Sequence, residues 1–146
     1  MSAAAIFLAA SMCVLGVGGG PSDGSTAVPM PAADAARMAQ ATTALLTEQM
    51  PPANSVVILK DAAGCARGDT YSPALALSLR QAGFALAVDG QPTPGAHLVR
   101  YHVSAPWEDS VLLRVQLDNR ETSQLFTRGL DGVLREAGPL SVRTVQ

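Results

Sequence analysis

Aromatic side chains are scarce in this sequence: one Trp, two Tyr and three Phe, 4% of 146 residues. Although 48% of the chain is apolar, much of that is alanine, so the core must be aliphatic and thin. Charge is sparse as well, 15% of residues with a formal net charge of −2 and no dense block of either sign. A nucleic-acid binder needs a basic stripe that releases counterions, and none is present. Histidine and cysteine number two each, with no C-x-x-C or H-x-x-x-H spacing, which excludes the familiar zinc patterns. A chain of this length holds one modest domain, not two.

What is present is distributed unevenly. Residues 1–33 carry a single charged side chain, Asp23, and the first basic residue is Arg37. "AAAIFLAASMCVLGV", from Ala3 to Val17, is an uninterrupted apolar run. It falls short of the roughly 20 residues that span a bilayer and matches the core of a signal peptide. Cys13 stands near its end after Leu8, Ala9, Ala10, Ser11 and Met12, the layout of a bacterial lipoprotein signal. There a thiol at the membrane surface receives the lipid, and small side chains before it admit the peptidase. Met12 departs from the small residue usual before that cysteine, and no Lys or Arg precedes the run. Cleavage after another small residue, an uncleaved anchor and a plain apolar tail are the alternatives. The expected organisation is a signal peptide over 1–12, a lipidated N-terminus and flexible linker over 13–32, and a periplasmic α+β domain over 33–146. The linker proper, residues 14–32, is rich in glycine and proline and cannot build a core; as a coil its 19 residues average roughly 24 Å end to end. "GVGGGPSDGS" is no phosphate loop, since no Lys-Ser or Lys-Thr follows.

Residues 32–50 read as an amphipathic helix with Met38, Ala41, Leu45, Leu46 and Met50 on one face, stopped by Pro51-Pro52. "NSVVILK" (54–60) reads as a buried strand. A loop follows, then a helix capped by Ser72 with Pro73 in its first turn, ending at Gly83. "FALAV" (84–88), "AHLVRYHVSA" (96–105), "DSVLLRVQLD" (109–118) and "TSQLFTR" (122–128) read as strands, the last two paired across the turn "DNRE". Alternation puts Val111, Leu113, Val115 and Leu117 on a buried face and Leu112, Arg114 and Gln116 on a wet one. Residues 129–146 read as a turn and a short strand or tail. The expected fold is α+β in the order α-β-α-β-β-β-β, with helices on one face of a mostly antiparallel sheet.

No constellation in this order performs chemistry. His97 and His102 are five apart on a strand, hence on opposite faces, and their default role is structural. Cys65 with His102 as base would make a small hydrolase, but nothing local supports the pair. A Cys13–Cys65 disulfide needs an unlipidated Cys13 in an oxidising compartment. Glu108 and Asp109 are turn neighbours that point to solvent rather than face each other across a cleft. The tripeptide at 67–69 ("RGD") carries no adhesive role. Trp107, the only tryptophan, follows Pro106 on a predicted loop; packing over the sheet edge is the common fate of such a residue. An exposed Trp107 would be a partner-contact site. Neither a metal, a cofactor nor a small-molecule substrate is expected.

Taken together, the N-terminal cysteine, "LLTEQMPPANSVVIL", "YSPALALSLRQAGFALAV" and "VLLRVQLDNRETSQLFTRG" resemble the TrbH family of bacterial conjugal transfer proteins, small lipoproteins encoded with mating-pair formation systems. The resemblance covers most of the chain. It implies an accessory, non-enzymatic component of a type IV secretion apparatus on the periplasmic side of a Gram-negative envelope, anchored to the outer membrane. It implies lipid attachment at Cys13 and partners among the other subunits of that machine. An envelope adaptor or assembly lipoprotein unrelated to conjugation is the alternative.

Overall fold

The computed structural model describes residues 25–60, 70–88 and 90–146. The apolar N-terminal run, Cys13 and Cys65 lie outside them. Seven strands and two helices follow one another as β1 (Thr26–Ala27), α1 (Ala32–Gln49), β2 (Val56–Leu59), α2 (Tyr71–Ala82), β3 (Ala85–Ala87), β4 (His97–Trp107), β5 (Ser110–Leu117), β6 (Arg120–Arg128) and β7 (Leu134–Thr144). They form one open sheet in the order β3-β2-β4-β5-β6-β7, with β1 added beside β4. The pairs β2–β3, β2–β4 and β1–β4 are parallel, whereas β4 to β7 form an antiparallel meander. The expected α+β class with a mostly antiparallel sheet is therefore the observed one.

Alanine-rich α1 uses the residue of highest helix propensity and stops where Pro51-Pro52 cannot continue it. Its buried residues are Asp34, Ala35, Met38, Ala39, Thr42, Thr43 and Leu46, so the face is rotated from the expected one. Ala41 and Leu45 lie at its margin, half-buried. Polar Thr42 is admitted to the centre because its hydroxyl donates to the Met38 carbonyl at 2.9 Å and accepts from the Tyr71 hydroxyl at 2.7 Å. Helix α2 starts one residue before Ser72, at Tyr71, with Thr70 at its N-cap position. The Thr70 hydroxyl donates to the Met30 carbonyl at 2.8 Å instead of capping. At the other end Gly83 adopts φ 101°, and Phe84 N–H donates to the Leu79 carbonyl at 3.0 Å, the left-handed helix stop expected of that glycine.

Val99, Tyr101 and Val103 of β4, Leu113 and Val115 of β5, and Phe126 of β6 make the inner face, all nearly inaccessible. Both helices lie against it. Tyr71 of α2 meets Tyr101 edge-on at 5.1 Å between ring centroids, and the Ser72 and Tyr101 hydroxyls are hydrogen-bonded. Asp34 in the first turn of α1 accepts from Arg128 Nη2 at 2.7 Å. The alternation expected of β5 holds for most of the strand: Leu113, Val115 and Leu117 are buried and Arg114 is exposed, while Val111, Leu112 and Gln116 are half-buried.

Two segments differ from expectation. The described part of the linker is not a free tether. Residues Thr26 and Ala27 pair with His102 and Val103, and the buried Ser25 hydroxyl accepts from the Tyr101 amide at 3.2 Å. Small residues that cannot found a core can still complete a strand's unfilled edge. The chain after 133 is no short tail but an eleven-residue edge strand. Its Gly138-Pro139 pair lies in a bulge: Leu125 pairs with Ala137 and Ser123 with Ser141. The Gln124 amide spans the irregularity, donating to the Ala137 and Gly138 carbonyls.

Candidate partner-contact site

The strand β4 runs two residues past its expected end, and Pro106 explains how. Lacking an N–H, it breaks the ladder, and the register with β5 shifts between Ser104 and Trp107 before Trp107 pairs with Ser110. Trp107 thus closes the β4–β5 hairpin rather than lying on a loop. Five aromatic residues are described; Tyr71, Phe84, Tyr101 and Phe126 are buried, and Trp107 alone is exposed, at 68%. It does not pack over the sheet edge. Since every other described aromatic was drawn into the scarce core, its exposure marks it as the contact candidate of this surface.

The neighbouring turn, residues 129–133, joins β6 to β7 at the same end of the sheet. Ser110 pairs with Thr127, and the Arg128 amide donates to the Asp109 carbonyl at 2.8 Å, so the two turns sit side by side. Leu130 at the second turn is fully exposed; sequence reading missed it, because an isolated leucine in "GLDG" carries no signal until its neighbour is known. This turn is tied down. Arg128 Nη1 donates to the Gly132 carbonyl at 2.7 Å. The Asp131 carboxylate accepts from Arg135 Nη2 at 2.6 Å and from the Val133 amide at 3.1 Å. Those two donors hold the Asp131 carboxyl below its ordinary range, at about 2, the Arg135 bond being the larger cause. Arg128 is raised in turn, first by its bond to Asp34 and, more weakly, by the charge of Asp109.

The other candidates separate. His97 Nδ1 donates to Asp118 at 2.9 Å and His102 Nδ1 is hydrogen-bonded to Thr26 Oγ1 at 2.9 Å, on opposite faces as the odd spacing requires. Among the described residues no group of three or more His, Cys, Asp or Glu could hold a metal ion. A concavity of about 510 Å³ lies between α1 and β7, walled by Arg37, Gln40 and Glu136 over Phe126. Cys13, the expected lipid attachment point, and Cys65 are outside the described residues. No helix among the described residues is long and apolar enough to cross a membrane.

The sequence profile of the family described as "Conjugal transfer protein TrbH" matches residues 19–145. No curated protein and no solved structure matches the chain. The match runs from ahead of β1, the strand that differs from the expected linker, through the bulged edge strand β7, and so takes in all the described elements. Covering nearly the whole sequence, it shows that this chain belongs to the TrbH family of conjugal transfer proteins.

Proposed function

We propose that the chain is a non-catalytic accessory subunit of a conjugal type IV secretion apparatus, tethered on the periplasmic side of the outer membrane through a lipid on Cys13. It acts by protein–protein contacts, with Trp107 as a contact residue. The family match over residues 19–145 carries the reading. The short apolar run ending near Cys13 supports the tether, and an exposed tryptophan in an aromatic-poor chain supports the contact. Deleting the gene in a donor strain lowers transfer frequency, and the wild-type chain restores it. Labelled palmitate enters the wild-type protein and not Cys13→Ser. Undiminished transfer in the deletion strain would refute the role, and absence of label from both proteins would refute the anchor.

A further inference from the structure

We propose that the end of the sheet bearing Trp107 and Leu130 docks into a protein surface offering an apolar pocket rimmed by lysine or arginine. This deepens the reading of Trp107 as a contact residue and rests on it. Trp107, the last residue of β4, and Leu130, in the β6–β7 turn, lie at one end of the sheet, where the Arg128 amide on the Asp109 carbonyl joins the two turns; they stand 68% and fully exposed. Tryptophan is among the residues that most often carry the affinity of an interface, and an exposed leucine at the same end of the sheet adds apolar area for it to bury.

The surface is also held ready. Gly129 N–H donates to the Val133 carbonyl and Gly132 N–H to the Gly129 carbonyl, both at 3.0 Å. The Asp131–Arg135 pair crosses beneath the turn, so close to Gly129 that a Cβ there would meet Asp131 Oδ1 at 2.9 Å. A turn already ordered loses little entropy on docking.

Charge selects the occupant. Asp131 is paired with Arg135 and Asp34 with Arg128, whereas Glu108 and Asp109 between the two apolar side chains form no ion pair among the described residues. Asp109 lies near enough to Arg128 to act on its charge, but Arg128 is already paired with Asp34, so the tip carries net negative charge beside its apolar pair. An anionic lipid surface repels such a tip. A second copy offering the same tip places like charges together across the two-fold axis. A partner with an apolar pocket and a basic rim satisfies both features.

A photo-crosslinking residue placed at position 107 or 130 of the full chain, in donor cells carrying the transfer system, tests this. Position 77, an exposed leucine on α2, serves as control. One protein adduct, identified by mass, is expected from 107 and 130 and not from 77. Glu108→Lys with Asp109→Lys lowers the adduct about tenfold or more, and acidic substitution of the partner's basic rim restores it. The exposed positions leave folding intact, checked by an unchanged melting temperature. No adduct, an equal adduct from position 77, an adduct to the chain itself, or indifference to the charge reversal overturns the proposal. So does Trp107-dependent binding of the purified chain to phosphatidylethanolamine–phosphatidylglycerol vesicles. An adduct to a protein outside the transfer system upholds the tip while removing the conjugal role. Loss of transfer on deletion without any adduct does the reverse.

Discussion

Two hydroxyl-bearing residues on α1 separate what is buried from what is merely bonded. Thr42 is fully buried and accepts the Tyr71 hydroxyl, while Thr47, on the exposed side, only donates back to the Thr43 carbonyl. Thr42→Val deprives Tyr71 of that acceptor and lowers stability by about 1–2 kcal/mol in urea unfolding. Thr47→Val changes it by less than about 0.5 kcal/mol. Asp131 makes a prediction in pH. Its folded carboxyl titrates at about 2, below the unfolded value near 4, so its stabilising contribution is complete above that unfolded value and is lost as pH falls toward 2. The stability difference between wild type and Asp131→Asn is then constant from pH 7 to 5 and shrinks below pH 4, read by denaturant unfolding across that range. Such residue-scale facts were only partly legible beforehand. The alternation of β5 exposed Leu113 and Val115 as core because it depends on local geometry alone. Leu130 was invisible, since its significance arises from a turn one strand away.

At the scale of elements, the segment most changed by tertiary structure is β1. Its residues have no strand-forming pattern of their own; they are ordered by an edge of β4 that β2 leaves unfilled beyond Val99. Ser25 makes the tie, and Ser25→Ala leaves the buried Tyr101 amide without its acceptor. The expected cost is about 1–3 kcal/mol, together with faster hydrogen exchange at Tyr101 than at Val115 in the middle of β5; equal exchange at Tyr101 in variant and wild type would count against the role of β1. Helices were read nearly to the residue where proline or glycine closes them, as at Met50 and Gly83, because those stops are set by backbone sterics within a few residues. The bulge of β7 was not, because Gly-Pro ends a strand in isolation but is tolerated on an edge when Gln124 occupies the freed carbonyls.

For the whole molecule, the meander β4–β7 and the two helices depend on each other. Val99, Tyr101, Val103, Leu113, Val115 and Phe126 are nearly inaccessible only because α1 and α2 cover them. A fragment of residues 96–146 exposes that face and does not fold by itself; its amide spectrum lacks the dispersion of the full chain. The segment that enters the sheet ahead of α1 is equally integral. Residues entering the sheet through β1 join β4 at its centre, so a pull on the N-terminus is borne by hydrogen bonds to Tyr101 and Val103 rather than by α1 alone.

The amino-acid sequence by itself determined the α+β class, the helix stops, the alternating faces of β5 and the poverty of chemistry-bearing groups, since each follows from composition or from geometry spanning a few residues. Its quoted motifs also pointed to the family that the match over residues 19–145 shows. Only the tertiary structure decided that Ser25–Ala27 complete the sheet, that Gly138 and Pro139 lie inside a strand, and that Trp107 and Leu130 share one exposed end. Each of those depends on pairing between residues distant in the chain, where the energy of an unsatisfied edge or an uncovered face, not local preference, selects the conformation.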